Sequence, residues 1–298
     1  TENYRPYLIA FLQCTSPLVS PEDIDGTIQS LLNKNADSAF TATPSHYFLW
    51  SRGQNGEAIE INHDKRVRPM RQGKEPQYVE TGAAYVMHTE GFLQAKHRFF
   101  GKTIMHITPP RRHWEIDEPI DLKIAETLMQ EQREQQRLSM LPSPISGLVM
   151  DFDGVFTDNR VVVFQDGKEA VFCDRGDGLG LDQLKKSGLP LLVLSTEKNS
   201  VVRARCEKLG ISCQQGVSNK IRTLKEWIEE GNLNPSGIIY VGNDINDLPC
   251  MKYVGCGVAV GDAYPEVKAS SRIILSSYGG KGAIRELTEL IMQGLEGG

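Results

Sequence analysis

The stretch LVMDFDGVFTDN, Leu148 to Asn159, is an apolar run that stops on two aspartates one residue apart, followed at once by a glycine. Two carboxylates at the mouth of a buried strand repel each other and lose hydration, so the arrangement calls for compensating charge. A divalent cation met by an incoming phosphate supplies it, because the cation reverses the local electrostatics. Asp151 can then attack phosphorus to form an aspartyl phosphate. Asp153, two residues on, can protonate the leaving alcohol and later activate water. Taken alone, a DxDG string fits a turn with two surface aspartates equally well, and the sequence around it decides.

Downstream, the apolar runs LPLLVLS, SGIIYVG and GCGVAV alternate with segments of helical spacing such as GLGLDQLKKSG, NSVVRARCEKLG and NKIRTLKEWIEEG. Buried strands separated by amphipathic helices predict a doubly wound parallel sheet covered on both faces. Between the first strand and first helix, NRVVVFQDGKEAVFC places two β-rich arms around Asp166 and Gly167, the pattern of a hairpin. Such a hairpin would project over the carboxyl edge of the sheet, where open α/β sheets place ligands.

Three further groups follow strand ends. Ser195 and Thr196 offer hydroxyls to a phosphoryl oxygen, or equally an ST-turn before the next helix. Lys220 stands near a helix start, as a phosphate-binding charge or a solvated lysine. Asn243, Asp244 and Asp247, in NDIND, suit Mg2+ in an oxygen cage or simply cap a loop. Taken together and in this order, the four groups resemble the haloacid dehalogenase (HAD) superfamily of phosphohydrolases. The resemblance implies Asp151 as nucleophile, Asp153 as acid and base, Thr196 and Lys220 on the phosphate, and Mg2+ held by Asp151, the Asp153 carbonyl and Asp244, with Asp247 in support. DFDGVFTDN, RGDGLG, GNDINDLPCM and GGKGAIRELTE are similar to the branch that holds 3-deoxy-manno-octulosonate (KDO) 8-phosphate phosphatases and sialic acid 9-phosphate phosphatases. That branch implies no large cap domain and a homotetramer whose hairpin flaps and neighbouring subunits close the site. Where its KDO enzymes read TGR, this chain reads STEKN, which marks Glu197 and Lys198 as sialic-acid-type specificity residues. Arg175 in RGDGLG is expected on the substrate. Lys281 and Arg285 are expected to reach a substrate carboxylate, since GGKGAIRE lacks the spacer and hydroxyl of a nucleotide-binding phosphate loop.

The N-terminal part reads as strand (YLIAFLQ), a helix capped by Ser20, two strands (SAFTATPS and YVETGAAYVM) and a final helix from EPIDLKIAE. Gln13, Thr15 and Ser16 follow a strand end; Arg68, Arg71 and Gln72 precede Glu80, Thr81 and Gly82. Glu115 and Asp117 would share a strand face and could ligate Mg2+, whereas Asp121 reads as an acid at a helix start. LQCTSPL, the RPMRQ segment, YVETGAAY and the IDEPIDL segment resemble the acylneuraminate cytidylyltransferases, which join CTP and a sialic acid with loss of pyrophosphate. The resemblance runs from about Tyr7 to Gln130 and implies nucleotide or sialic acid contacts from Gln13, Ser16, Arg71, Gln72, Glu80 and Gly82, and metal contacts from Glu115 and Asp117. That family's glycine-rich basic triphosphate loop does not occur here. The chain opens on Thr1 and leads directly into a core-strand pattern, so a preceding segment is expected. The chain is then either part of a bifunctional enzyme or a form with only phosphatase chemistry.

With 298 residues, 40% hydrophobic and 24% charged, the chain suits two modest domains, expected as 1–140 and 141–298 around the Pro142 and Pro144 linker. The net charge of -5, with no basic run interleaved with aromatics, argues against a nucleic-acid partner. No apolar stretch is long enough to span a membrane, and six cysteines without CxxC or zinc spacing read as free thiols of a cytoplasmic protein. The expectation is a partial nucleotide-diphospho-sugar-transferase-like domain followed by a HAD-like parallel sheet with a hairpin flap. The expected activity is Mg2+-dependent hydrolysis of a sialic acid 9-phosphate, N-acetylneuraminate or its deaminated analogue KDN. Two alternatives stay open: a cytidylyltransferase whose second domain only assembles tetramers, and a KDO 8-phosphate phosphatase.

Overall fold

The computed structural model describes residues 5–67, 70–73 and 75–296. Packing divides the chain into two units, one ending at Gln132 and the other beginning at Arg133. This break falls inside a helix, upstream of the proline-rich linker near Leu141. The cause is local: Leu138, Met140 and Leu141 pack against the core of the second unit.

The first unit runs β1 (Leu8–Leu12), α1 (Pro21–Asn33), β2 (Ser38–Ser45), the short β3 (Trp50–Arg52) and β4 (Ala58–Glu60), β5 (Gln77–His88), α2 (Thr89–Ala95), β6 (Thr103–Ile107) and the start of α3 (Pro119–Ser139). Among the described residues its main sheet has the order β1-β5-β2-β6, with β5 antiparallel to both neighbours and β6 parallel to β2. Ser20 caps α1 in a reciprocal box with Asp23, as the spacing predicts. Asp121 accepts the amides of Asp117 and Glu118 and so fixes the start of α3. The expected strand at Glu115 and Asp117 is absent. Instead an irregular segment is tied to the preceding loop by the Ile116 amide on the Thr15 carbonyl, at 2.8 Å.

The second unit continues with β7 (Gly147–Met150), β8 (Thr157–Val163), β9 (Glu169–Cys173), α4 (Arg175–Lys186), β10 (Leu191–Leu194), α5 (Ser200–Leu209), β11 (Ser212–Gln214), α6 (Lys220–Glu230), β12 (Ile238–Gly242), α7 (Leu248–Tyr253), β13 (Cys256–Ala259), α8 (Pro265–Ser270), β14 (Ile273–Ile274) and α9 (Ala283–Glu296). Among the described residues, six of its eight strands form one sheet in the order β11-β10-β7-β12-β13-β14, and all six pair in parallel. The chain builds outward from β7 to β10 and β11, then returns to the other side of β7 for β12. That reversal opens a crevice at the carboxyl ends of β7 and β12, the usual ligand position of such sheets. The inner strands β7, β10, β12 and β13 are buried along their length because both faces are covered, with Leu148, Val149 and Met150 wholly buried, whereas the edge strand β11 carries Ser212 and Gln214 exposed. Between β7 and α4 the only inserted sheet among the described residues is the β8–β9 hairpin, turned at Asp166 and Gly167 with a positive φ of 80° at the glycine.

Candidate active site

Three carboxyl strand ends meet in the second unit. β7 delivers Asp151 and Asp153, its neighbour β10 delivers Ser195 to Asn199, and β12 delivers Asn243 to Asp247. Lys220 arrives from the first position of α6, whose cap is the Asn219 side chain. Its ammonium is 2.6 Å from Asp151 Oδ1 and 2.8 Å from Asp247 Oδ1, with the lysine side chain 3% exposed. An ammonium has three donors, so one remains for a ligand.

Burial and the Asp247 charge push the Asp151 carboxyl well above the usual carboxylate range, while Lys220 and the Phe152 amide, 2.8 Å from Oδ1, pull it back. For Lys220 burial opposes the charged form, but the two carboxylates outweigh it and hold the amine protonated. Burial and the Glu197 charge also raise Asp153, against the hydroxyl of Thr157. That hydroxyl oxygen accepts the amides of Gly154 and Asn159, so it fixes the loop as well as the acid. A raised carboxyl beside a second, buried carboxylate can hold a proton for a departing group.

Asp247 has both oxygens engaged. Oδ1 takes Lys220 and the Tyr240 hydroxyl, each at 2.8 Å, and Oδ2 takes the amides of Asn243 at 3.0 Å and Asp244 at 3.3 Å. Four donors fill the lone pairs a carboxylate offers. Asp247, expected with the metal ligands, therefore anchors Lys220 and the loop. Asp244 is intermediate in exposure, with Oδ1 accepting the Ile245 amide. Ser195 is buried and its hydroxyl oxygen accepts the Glu197 amide, so it shapes the turn, while the exposed Thr196 is left facing outward. Glu197 folds back to accept the amides of Lys198 and Asn199. Lys198, Arg175 and Lys281 are exposed and form no ion pair among the described residues; Arg285 pairs with Glu289.

Several contributors escaped the sequence reading. Asn199 caps α5 through Oδ1 and donates Nδ2 to Glu169 of the hairpin at 2.7 Å, tying the flap to the rim of the site. Tyr240 hides within an apolar strand; its one signal is a phenol among aliphatics, which must find a partner when buried. Gly279 and Gly280 press on the loop after β7: a side chain at Gly279 would meet the Gly154 carbonyl oxygen at 2.0 Å. This close approach accounts for Gly279 and Gly280, whereas Gly282 has open space around it and a positive φ of 88°.

The first unit gathers a second cluster. Ser16 Oγ lies 3.5 Å from Glu115 Oε1, and Glu115 lies directly over Gly82, whose φ is 69°. Burial first, then the charges of Asp117 and Glu80, raise the Glu115 carboxyl. Glu80 accepts the Tyr85 hydroxyl and pairs with Arg98 at 3.6 Å, and the Arg98 guanidinium stacks 4.2 Å over the Tyr85 ring. Arg98 carried no sequence signal. The Gln13 main-chain N–H donates to the Ala83 carbonyl at 3.3 Å, which places the residue beside the same strand. Gln72 is exposed in a short turn. The Arg71 side chain and all of Arg68 lie outside the described residues.

Comparison with known proteins covers both units. A family model described as haloacid dehalogenase-like hydrolase matches residues 198–287. The N-acylneuraminate cytidylyltransferase A of Danio rerio is 25% identical over 302 residues, spanning 96% of this chain and 67% of its own. The 3-deoxy-D-manno-octulosonate 8-phosphate phosphatase of Escherichia coli K12 is 33% identical over 146 residues, 49% of this chain and 78% of that protein. A crystal structure of the phosphatase of that name from Moraxella catarrhalis, in complex with a magnesium ion, a phosphate ion and KDO, is 30% identical with a TM-score of 0.51, covering 55% of this chain and 92% of its own.

Proposed function

The chain belongs, through its C-terminal unit, to the haloacid dehalogenase-like hydrolases, and from that membership we propose that it removes the phosphate of a nine-carbon sialic acid 9-phosphate. The observation that carries the reading is the buried Asp151–Lys220–Asp247 array at the strand-order reversal. Asp151 attacks phosphorus as the bond to the sugar oxygen breaks, and Asp153 gives its proton to that oxygen. Asp153 then takes a proton from water, whose oxygen attacks the aspartyl phosphate and frees Asp151 and inorganic phosphate. Lys220 and Thr196 hold the phosphoryl oxygens, Ser195 sets the turn that presents Thr196, and Lys198, Arg175 and Lys281 face the sugar.

The residues suit Mg2+. Among the described residues no three His, Cys, Asp or Glu side chains form a metal cluster, but the set here is two carboxylates, Asp151 and Asp244, and the Asp153 carbonyl. All are hard oxygen donors, and Mg2+ commonly keeps several waters besides. The buried Asn243 Oδ1 beside them has no partner, as expected of an oxygen facing a cation or its water. When bound, the cation would neutralise charge on the transferring phosphoryl group.

The nine-carbon substrate rests on the likeness of the whole chain to an acylneuraminate cytidylyltransferase and on STEKN at the rim. A phosphatase releasing a free sialic acid would feed the transfer from CTP, which we assign to the first unit, with Ser16, Glu80, Gly82, Glu115 and Asp117 at its centre and Gln13, Arg71 and Gln72 around it. KDO 8-phosphate is the second candidate, favoured by the two KDO 8-phosphate phosphatases above. A homotetramer through the C-terminal unit would cover the exposed Val161, Val163, Phe164 and Phe172 of the hairpin. A cytoplasmic location accords with six free cysteines, and no helix among the described residues is long and apolar enough to cross a membrane. The test is Mg2+-dependent phosphate release from sialic acid 9-phosphate, KDN 9-phosphate and KDO 8-phosphate, compared as kcat/KM. Preference for the nine-carbon pair is expected. Asp151→Asn should abolish release without unfolding, and full activity in that variant rejects the mechanism.

A further inference from the structure

We propose that Tyr240 is a positioning residue for phosphate binding, acting through Asp247 to fix the Lys220 ammonium. The inference rests on the phosphatase reading above. Tyr240 is wholly buried in the central strand β12, paired with Val149 on one side and Gly257 on the other, so its ring cannot drift. Its only hydroxyl proton goes to Asp247 Oδ1 at 2.8 Å, the same oxygen that takes Lys220 at 2.8 Å. Lysine has a long stem with many rotamers, and water does not hold this one in place because it is buried. The position of its third N–H, the one left for a phosphoryl oxygen, is therefore set by where Asp151 Oδ1 and Asp247 Oδ1 stand.

Without the phenol, Asp247 Oδ1 keeps a single donor in a buried setting, and an unfilled lone pair there is costly. The carboxylate and ammonium then draw together, and the third donor turns away from the substrate. Asp151 keeps its own contact with the Phe152 amide, so the nucleophile is disturbed less than the phosphate-binding charge. A defect in phosphate binding with an intact fold follows.

The variant is Tyr240→Phe in the full chain, which removes one oxygen and retains the ring. Orthovanadate, a phosphate mimic, is titrated by calorimetry in the presence of Mg2+, so that binding is read without turnover. The expected result is about tenfold weaker vanadate binding, a parallel fall in kcat/KM, and an unchanged Mg2+ concentration for half-maximal activity. A structural role alone would lower the melting temperature or the active fraction while the remaining enzyme bound vanadate normally, and that result overturns the proposal. Asp247→Asn and the double variant complete a cycle: if Tyr240 acts through Asp247, the double variant binds vanadate no worse than Asp247→Asn. Additive losses reject the route through Asp247. Normal vanadate binding by the parent chain with no phosphate released from any sugar phosphate would reject the substrate reading and leave this one standing; no vanadate binding by the parent rejects both.

Discussion

Asp177, in the first turn of α4, is 1% exposed, with Oδ1 accepting the Arg285 amide at 2.9 Å and Oδ2 without a partner. It joins RGDGLG to GGKGAIRE by accepting an amide in the first turn of α9, a structural link between two strings that the sequence reading took as family marks and substrate contacts. Burial pushes its carboxyl up to about 6, from 3.8 in the unfolded chain. The native state thus binds a proton between those values that the unfolded chain has released. Stability from this group is greatest below the lower value and is lost as pH rises through the window, after which the buried charge is a constant cost. Asp177→Asn keeps the Oδ1 acceptor and removes the charge. It should therefore be more stable than the parent at pH 8, by roughly 2 kcal/mol or less, with the gap closing toward pH 4. Urea midpoints across that range measure it, and a variant weaker than the parent at pH 8 contradicts the assignment. Placement at this scale was legible where a residue follows a strand end or opens a helix, as with Asp151, Lys220 and Asp244. It was not legible for Tyr240 or Asp177, whose partners lie on distant elements and leave no local pattern.

Elements were more readable than their meetings. Period-2 and period-3.6 patterns placed β1, β2, β5, α1 and, in the second unit, β7, β10, β12, β13, the β8–β9 hairpin and the helices α4, α5 and α6, because burial of a face imposes the same spacing wherever the element sits. Nothing local says that the loop before α9 will press on the loop after β7. Gly279 and Gly280 meet Gly154, Thr157 and Asp158 at backbone distance, and Gly280 also donates its amide to the Val155 carbonyl at 3.0 Å. A methyl group at Gly279 would stand 2.0 Å from the Gly154 oxygen and 3.0 Å from the Thr157 oxygen, and neither backbone atom can rotate away. Gly279→Ala should cost about 1–3 kcal/mol, the usual range for overpacking, and should lower kcat more than the stability loss alone accounts for, because the displaced loop carries Asp153. Melting temperature and single-turnover phosphate release separate the two effects. A variant with both parameters unchanged would show that the loops part without consequence. The irregular stretch at Glu115 and Asp117 teaches the converse: a hydrophobic and acidic alternation reads as strand, but one amide bond to Thr15 cannot build a ladder.

The two units differ in how much apolar surface they remove from water. In the second, one continuous cluster joins Leu148, Met150, Phe152 and Phe156 to Leu181, Leu224, Tyr240 and Ile291, all wholly buried. In the first, the buried cluster is Leu31, Ala39 and Val86, with Leu8, Ile28 and Ile104 partly covered around it. Burial of apolar area at about 25 cal/mol per Å2 is the main favourable term in folding, so the second unit should outlast the first. Separate cores also break the single cooperative transition expected of one domain. In urea, the full chain should therefore unfold in two steps, the first changing fluorescence from Trp50 and Trp114, the second from Trp227, which packs on the larger core. Phosphate release should survive the first step and vanish with the second. Coincident loss of circular dichroism, tryptophan signal and activity in one transition would mean that the units stabilise each other, and the second unit would then depend on the first for its folding.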